Sequence, residues 1–426
     1  MHEQDTESYP DELAPTGRAT FGDLFAVGEF RALWLAQVLS VVGDQLARVA
    51  LTLLVYDRTR SALLAAVTFA ASVVPTFFGG VALAGLADRL PRRQVMITCD
   101  VARAAGVLAM TIPGLPLAAM VILLFAVTLI GTPFSAARAA VYPEILSGDR
   151  YVLGNAVTLT TLQVAQVAGF AAGGAVAGLV GVRTSLVTDA ATFAASALLI
   201  RIWVRARAAS RPPREDRPSH AADLIAGIRL VFASPALRTP MLLGWLAAFY
   251  NAPEGVAAPL ARSLHAGPTA VGLILAAAPL GASVGAVGFS RLVRPAARLS
   301  WMRPLAIASC AVLVAFALRP GLPAALAILC CSGVFDCFQV AASAAFVSAA
   351  PPAQRSQAFG LALAGMSLGQ GAAMILAGAA AQHFAPAVVI AVAGALGAVT
   401  AVVIAVGGTS RRSTQKQAPL AGHAPG

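Results

Sequence analysis

What most constrains this chain is a set of apolar runs, each about 18–25 residues long, that recur from end to end between short polar turns. Each run is long enough to cross a hydrocarbon core of about 30 Å as an α-helix. A soluble helical protein would need polar faces on its outer helices, and these segments have almost none. Of 426 residues, 58% are hydrophobic and 12% charged, with a mean hydropathy of +0.78. Soluble domains average about 45–50% and about 25%. The chain reads as an all-α, polytopic membrane protein.

Twelve transmembrane helices are expected, near 30–56, 61–84, 94–112, 116–139, 152–180, 184–204, 239–262, 268–290, 301–318, 322–349, 356–379 and 385–408. They form two pseudo-symmetric six-helix bundles, 30–204 and 239–408, between tails at 1–29 and 409–426. The polar connector between them, 205–238, begins Pro/Arg-rich. Within it Ala222 to Phe232 reads as a short amphipathic helix lying on the membrane surface.

The net charge of +11 is almost all arginine, since Lys416 is the only lysine. The arginines crowd the segments that face the cytoplasm if the N-terminus is inside. The outer loops keep only Arg58, Arg60, Arg183, Arg262 and Arg319. That bias puts both termini in the cytoplasm of a multi-pass cell-membrane protein and accounts for the basic charge without nucleic acid. The N-terminal segment is acid-rich and lacks a basic stretch before a short apolar core, so no cleaved signal peptide is expected. Cys99, Cys310, Cys330, Cys331 and Cys337 lie in apolar spans with no CxxC spacing, and the five histidines are scattered, so neither metal nor disulfide is expected. No G-x-x-x-x-G-K-[ST] loop exists, so no nucleotide cofactor drives this chain. "GMSLG" (Gly365 to Gly369) matches a nucleophile elbow, but it lies inside an apolar helix rather than a strand-to-helix turn, and an enzyme is not expected.

The halves echo each other. "GLADRLPRR" after the second span matches "FSRLVRPAAR" after the eighth, and "AARAAVYP" matches "AASAAFVS", each at an offset of about 200–205 residues. Asp88 has no acidic counterpart in the second copy, and Arg138 faces Ser343.

These features resemble the major facilitator superfamily over most of the chain, and within it the bacterial drug- and metabolite-efflux branch that includes macrolide exporters. "FRALWLAQVLSVVGDQLARVALTLLVYDRTRSA" is similar to that branch's first helix, with its Gly43-Asp44 pair. "AGLADRLPRRQVM" resembles the superfamily signature G-x-x-x-D-R-x-x-R-R, with Ala84 at the leading glycine. "AARAAVYPEIL" resembles the fourth-helix exit. "GFAAGG", from Gly169 to Gly174, resembles the fifth-helix antiporter motif, with Phe170 where proline is usual. The resemblance implies a gating latch between the second and third helices, in which Asp88 meets the start of the eleventh helix near Gln357. Arg89, Arg92 and Arg93 would then answer acids such as Asp100 or Glu144.

Ionisable groups inside spans are costly and hence functional candidates. Asp44 and Arg48 sit one turn apart in the first span, either as an internal ion pair or as a carboxyl that titrates between burial and its arginine. Asn251 and Glu254 share a face of a seventh helix interrupted by Pro253 and Pro259. Glu254, with no charge close in sequence, is the favoured proton carrier, unless this helix end merely dips into an outer vestibule. Asp336 and Gln339 form an equivalent pair in the tenth span, for cargo or for a helix contact. Asp100 and Arg103 are expected to pair with the signature cluster, and Arg138 is counted with the same gating latch. Asp189 is expected to stabilise the start of the sixth helix. Gly169, Gly173, Gly174 and Gly178 give the small-residue spacing of a close helix contact, or of a surface on which bundles rock.

The leading reading is a monomeric secondary transporter that exports a small amphipathic compound by alternating access in exchange for protons. The cavity acids favour neutral or cationic cargo, although Arg48 could serve an anion. The alternatives are an importer of a nutrient or siderophore-like compound and a transport-dead membrane sensor.

Overall fold

The computed structural model describes residues 19–82, 90–207, 220–351 and 354–416. All regular structure among them is helical. Ten helices are long and apolar enough to cross a membrane, and a bent pair, Gly227–Ala233 joined to Pro235–Gly255 at 105°, supplies an eleventh. The twelfth is the third in chain order, Arg92–Ala109; it carries Arg92, Arg93, Asp100 and Arg103, so only part of it is apolar. Twelve spans in two six-helix bundles follow.

The first span, Gly28–Thr59, stops where Arg60 turns left-handed (φ 54°) and closes the helix end onto the Tyr56 carbonyl. Ser61 then caps the second span, accepting from the Leu64 N–H at 3.2 Å. At opposite ends of the fifth span, Gly148 (φ 54°) makes the turn into it and Gly181 (φ 90°) the turn into the sixth. Only glycine takes such angles without steric cost. The fourth span is Leu117–Ile145, the fifth Asp149–Leu179 and the sixth Val182–Trp203. In the second half the eighth is Pro268–Leu292 and the ninth runs from Arg298 through a 3-10 stretch to Leu318. The eleventh is Arg355–Ala380, and the twelfth, Pro386–Lys416, runs past the expected end at 408. The connector helix is His220–Ala233.

Three spans are broken, and the breaks matter most for the site. The second stops at Ala70 and restarts at Pro75. The Thr76 N–H bonds to Val73, so the Ser72 carbonyl, its usual partner, is released. The seventh is split into Pro235–Gly244, Ala247–Tyr250, Ala252–Gly255 and Ala257–Ser263, as its prolines predict. The tenth breaks as well, between Leu322–Phe335 and Phe338–Ala349, so Asp336 sits at a break rather than within the expected continuous helix.

The bundles meet along the fifth and eighth spans, and the second and eleventh. The glycines of the fifth span divide between two partners. Gly169 and Gly173 lie against Gln45, Leu46 and Val49 of the first span, whereas Gly174 and Gly178 lie against Gly272 and Pro268 across the bundle boundary. At the end away from the connector, Gln382 donates to the Ser61 hydroxyl at 2.8 Å and Arg262 faces Asp57 at 3.7 Å. That end is closed.

Candidate functional site

From mid-depth toward the connector side, the bundles enclose two pockets. One, of about 320 Å³, lies within the first bundle among Gln37, Ser40, Asp44, Arg48, Thr76, Arg103, Ser135 and Arg138. The other, of about 520 Å³, lies mainly in the second bundle, with Trp245, Tyr250, Phe346 and Phe359 among its walls and Gln163, Gln166, Asn251, Asp336, Gln339, Ser343 and Gln370 as its polar groups. A recess of about 150 Å³ beside it reaches Glu254 and Asp336. Thr76 lines the first pocket and donates to Ser367 at 3.3 Å, next to Met366 of the second, so the two adjoin.

In the first bundle the expected Asp44–Arg48 pair is not formed. Both Asp44 oxygens accept from Arg103 Nη2, at 2.9 and 2.8 Å. Arg103 also faces Asp100 at 3.7 Å and lies over the Phe193 ring, 3.9 Å from its centroid. Arg103, expected in the latch, is therefore the cation of the cavity acid. Arg48 instead donates to the Ser72 carbonyl at 3.2 Å, the group that the break at Pro75 released. Asp100 accepts from the Ser196 hydroxyl of the sixth span rather than meeting the signature arginines. Asp189 is not a helix-start residue: no acid lies in the first turn of that helix. It is buried, with its carboxyl in the space that a side chain at Gly43 would need.

In the second bundle Gln339 donates to the Gly244 carbonyl at 3.2 Å and to the Tyr250 hydroxyl at 2.8 Å. It ties the tenth span to the broken seventh. Tyr250 lies against the Asp336 carboxyl, yet Asp336 Oδ1 is buried without a hydrogen-bond partner. Glu254 makes no ion pair among the described residues, and the charge it interacts with is Arg48 of the opposite bundle. Asn251 and Glu254 share the recess, as their spacing predicts.

At the connector end, Arg92 pairs with Glu144 and also donates to the Ala140 carbonyl at 3.0 Å. Arg93 donates to the Arg201 carbonyl. Asp88 and Arg89 lie outside the described residues, and with them the expected contact near Gln357. The sequence reading missed the connector's own clamp. Arg207 grips Glu29 with two bonds, 2.7 and 3.0 Å, and reaches Glu144 at 3.5 Å. The Glu29 bonds push the Arg207 pKa up. Nothing local signals this pairing, because the partners are far apart in sequence.

A twelve-span chain whose bundles enclose a polar cavity, closed at one end, has the architecture of a membrane transporter. The chain belongs to the transmembrane secretion effector family, whose model matches residues 21–420, and so to the efflux branch of the major facilitator superfamily. It is 28% identical over 278 residues to an enterobactin exporter of Citrobacter koseri, covering 62% of this chain and 65% of that protein. It is likewise 28% identical over 276 residues to an enterobactin exporter of Shigella dysenteriae, covering 63% and 64%. The match thus spans less than two thirds of these curated relatives' length. Among solved structures, the fold is similar to a POT family transporter in complex with 5-aminolevulinic acid: TM-score 0.73, 12% identity, 92% of this chain and 98% of that one. It is also similar to a bacterial homologue of the human lysosomal transporter Spinster in an inward-facing, unoccupied conformation: TM-score 0.65, 15% identity, 92% and 96%.

Proposed function

We propose that this protein is a secondary active exporter that moves a small amphipathic compound out of the cytoplasm by alternating access, in exchange for protons. The observation that carries the reading is the cavity itself: it lies where the two bundles face each other, it holds the carboxyls Asp44, Glu254 and Asp336, and side-chain contacts join the bundles at the end away from the connector. Arginine bias makes the connector side the cytoplasm, with both termini there. The conformation is then inward-facing and ready to load cargo. The exporter relatives support outward rather than inward transport.

Glu254 and Asp336 suit proton carriage because neither forms an ion pair among the described residues. A charged carboxylate at mid-membrane costs about 2.5–3.5 kcal/mol on insertion scales, and a proton removes that cost. Glu254 also interacts with Arg48 across the bundle boundary, so its charge bears on the closure of the two halves. Protonation from the outside in one state and release inside in the other would bias the equilibrium between them.

The test is efflux from cells preloaded with a compound panel, with and without a protonophore. Expression should speed efflux of at least one compound, the protonophore should abolish that gain, and Glu254→Gln should do the same at normal protein levels. If expression raises uptake of every affected compound, or if Glu254→Gln and Asp44→Asn both leave flux unchanged, the reading fails.

A further inference from the structure

The first-bundle pocket holds two guanidiniums that form no ion pair among the described residues. Arg103 is engaged by Asp44 and Asp100. Arg48 gives one N–H to the Ser72 carbonyl and forms no ion pair within 4 Å among the described residues. Arg138 has neither a hydrogen bond nor an ion pair among them; its Nε is buried without a partner, and its head lies 6.0 Å from the centre of the Tyr142 ring. A guanidinium carries five N–H donors and keeps its charge at any pH a cell reaches. The unpaired carboxyls of the second bundle can be neutralised by taking up a proton, but an arginine cannot be neutralised by losing one. Among the described residues neither Arg48 nor Arg138 has a carboxylate within ion-pair distance, and Glu254, which interacts with Arg48 across the boundary, is neutral while it carries a proton, so an anion in the pocket would supply the missing countercharge.

We infer that the cargo is an amphiphile with an anionic oxygen group, which Arg48 and Arg138 bind while its aromatic or apolar body lies against Trp245, Tyr250, Phe346 and Phe359. The pockets of about 320 and 520 Å³ face each other across the bundle boundary with the Thr76–Ser367 hydrogen bond between them, and a ligand that displaces this bond would reach both. The charge asymmetry fixes its orientation, anion in the first bundle and rings in the second. Carboxylates, sulfonates and phenolates share the needed chemistry, a charged oxygen acceptor for charge-assisted hydrogen bonds. This reverses the sequence expectation of neutral or cationic cargo, which counted Asp44, Glu254 and Asp336 together: Asp44 is taken by Arg103, and the other two are assigned to protons. The inference rests on the proposed function in one respect: Glu254 and Asp336 carry protons rather than cargo.

The test is equilibrium binding to the full chain in lipid nanodiscs, read against empty discs. The probes are anilinonaphthalene sulfonate, its uncharged relative N-phenylnaphthylamine, and the cation ethidium. Wild type should bind the sulfonate at least tenfold more tightly than either other probe. Arg48→Gln and Arg138→Gln should each weaken sulfonate binding about tenfold and leave N-phenylnaphthylamine binding unchanged. Arg138→Lys should restore part of the loss. Equal affinity for the charged and uncharged naphthalenes, tighter ethidium binding, or an equal loss of both naphthalenes in the variants overturns the inference. If a glutamine variant does not fold, the wild-type probe ranking still decides. No gradient is used, so a chain that binds in this pattern but transports nothing refutes the transport reading alone.

Discussion

Asp44→Asn and Arg103→Gln, alone and together, test whether the cavity acid is held by the third span. The Arg103 side chain is 7% exposed and that of Asp44 28%, with contacts of 2.9 and 2.8 Å from one guanidinium nitrogen. Removing one member of a fully buried pair costs about 3–5 kcal/mol, chiefly because the survivor keeps an unanswered charge. Asp44→Asn should fall below that range. The pair is partly open to the cavity, the amide still accepts a hydrogen bond, and Arg103 keeps Asp100 at 3.7 Å and the Phe193 ring. A loss of about 1.5–3 kcal/mol is expected, the value of a hydrogen bond to a charged group. Arg103→Gln should cost more, about 3–5 kcal/mol, because it leaves Asp44 and Asp100 without their shared cation. The double variant should be less destabilised than the sum by about 2 kcal/mol. The assay is equilibrium unfolding of the purified protein in mixed micelles for all four members of the cycle. Additivity within about 0.5 kcal/mol would refute the pairing. So would coupling that appears between Asp44 and Arg48 instead.

Three further outcomes follow from the packing. A Cβ at Gly174 would meet the Gly272 nitrogen and the Pro268 carbonyl at 2.8 Å, both rigid backbone, whereas one at Gly178 would meet the Pro268 ring at 3.3 Å. Gly174→Ala should therefore cut flux at least several-fold while Gly178→Ala keeps most of it, measured at matched expression. Ser61→Cys with Gln382→Cys puts one thiol on each bundle beside the 2.8 Å hydrogen bond that joins them at the end away from the connector. A cleavable bifunctional thiol reagent should trap that end shut and stop transport, and cleaving the reagent should restore it. Glu29→Gln removes the carboxylate that Arg207 grips at 2.7 and 3.0 Å, so limited trypsin digestion at the connector's start should become several-fold faster.

The architecture was legible because its causes are local. Apolar runs of bilayer length mark the spans, and Pro253 and Pro259 announce the broken seventh helix beside Glu254. The pairings were not legible, for a physical reason. Sequence spacing reveals the neighbour one helical turn away, hence Asp44 with Arg48, but the actual partner, Arg103, stands on another helix 59 positions along the chain. Arg48 is drawn off by a carbonyl that exists as a free acceptor only because Pro75 breaks the neighbouring span. The break at Asp336 has no proline to signal it; close backbone contact of Gly333 with Ala278 of the eighth span accompanies it. Asp189 was expected to stabilise the start of the sixth helix, because its position along the sequence says nothing about what covers it; it is buried beyond the first turn.

The claim at the centre is that outward movement of cargo through the cavity consumes a proton gradient. Everted vesicles containing the full chain, given an acidic lumen and then anilinonaphthalene sulfonate, measure it directly when lumenal pH and probe uptake are recorded together. The account predicts probe entry into the lumen with matching lumenal alkalinisation, and Glu254→Gln should lose both signals. Probe entry that proceeds unchanged after the gradient is collapsed, with no proton movement, would contradict it.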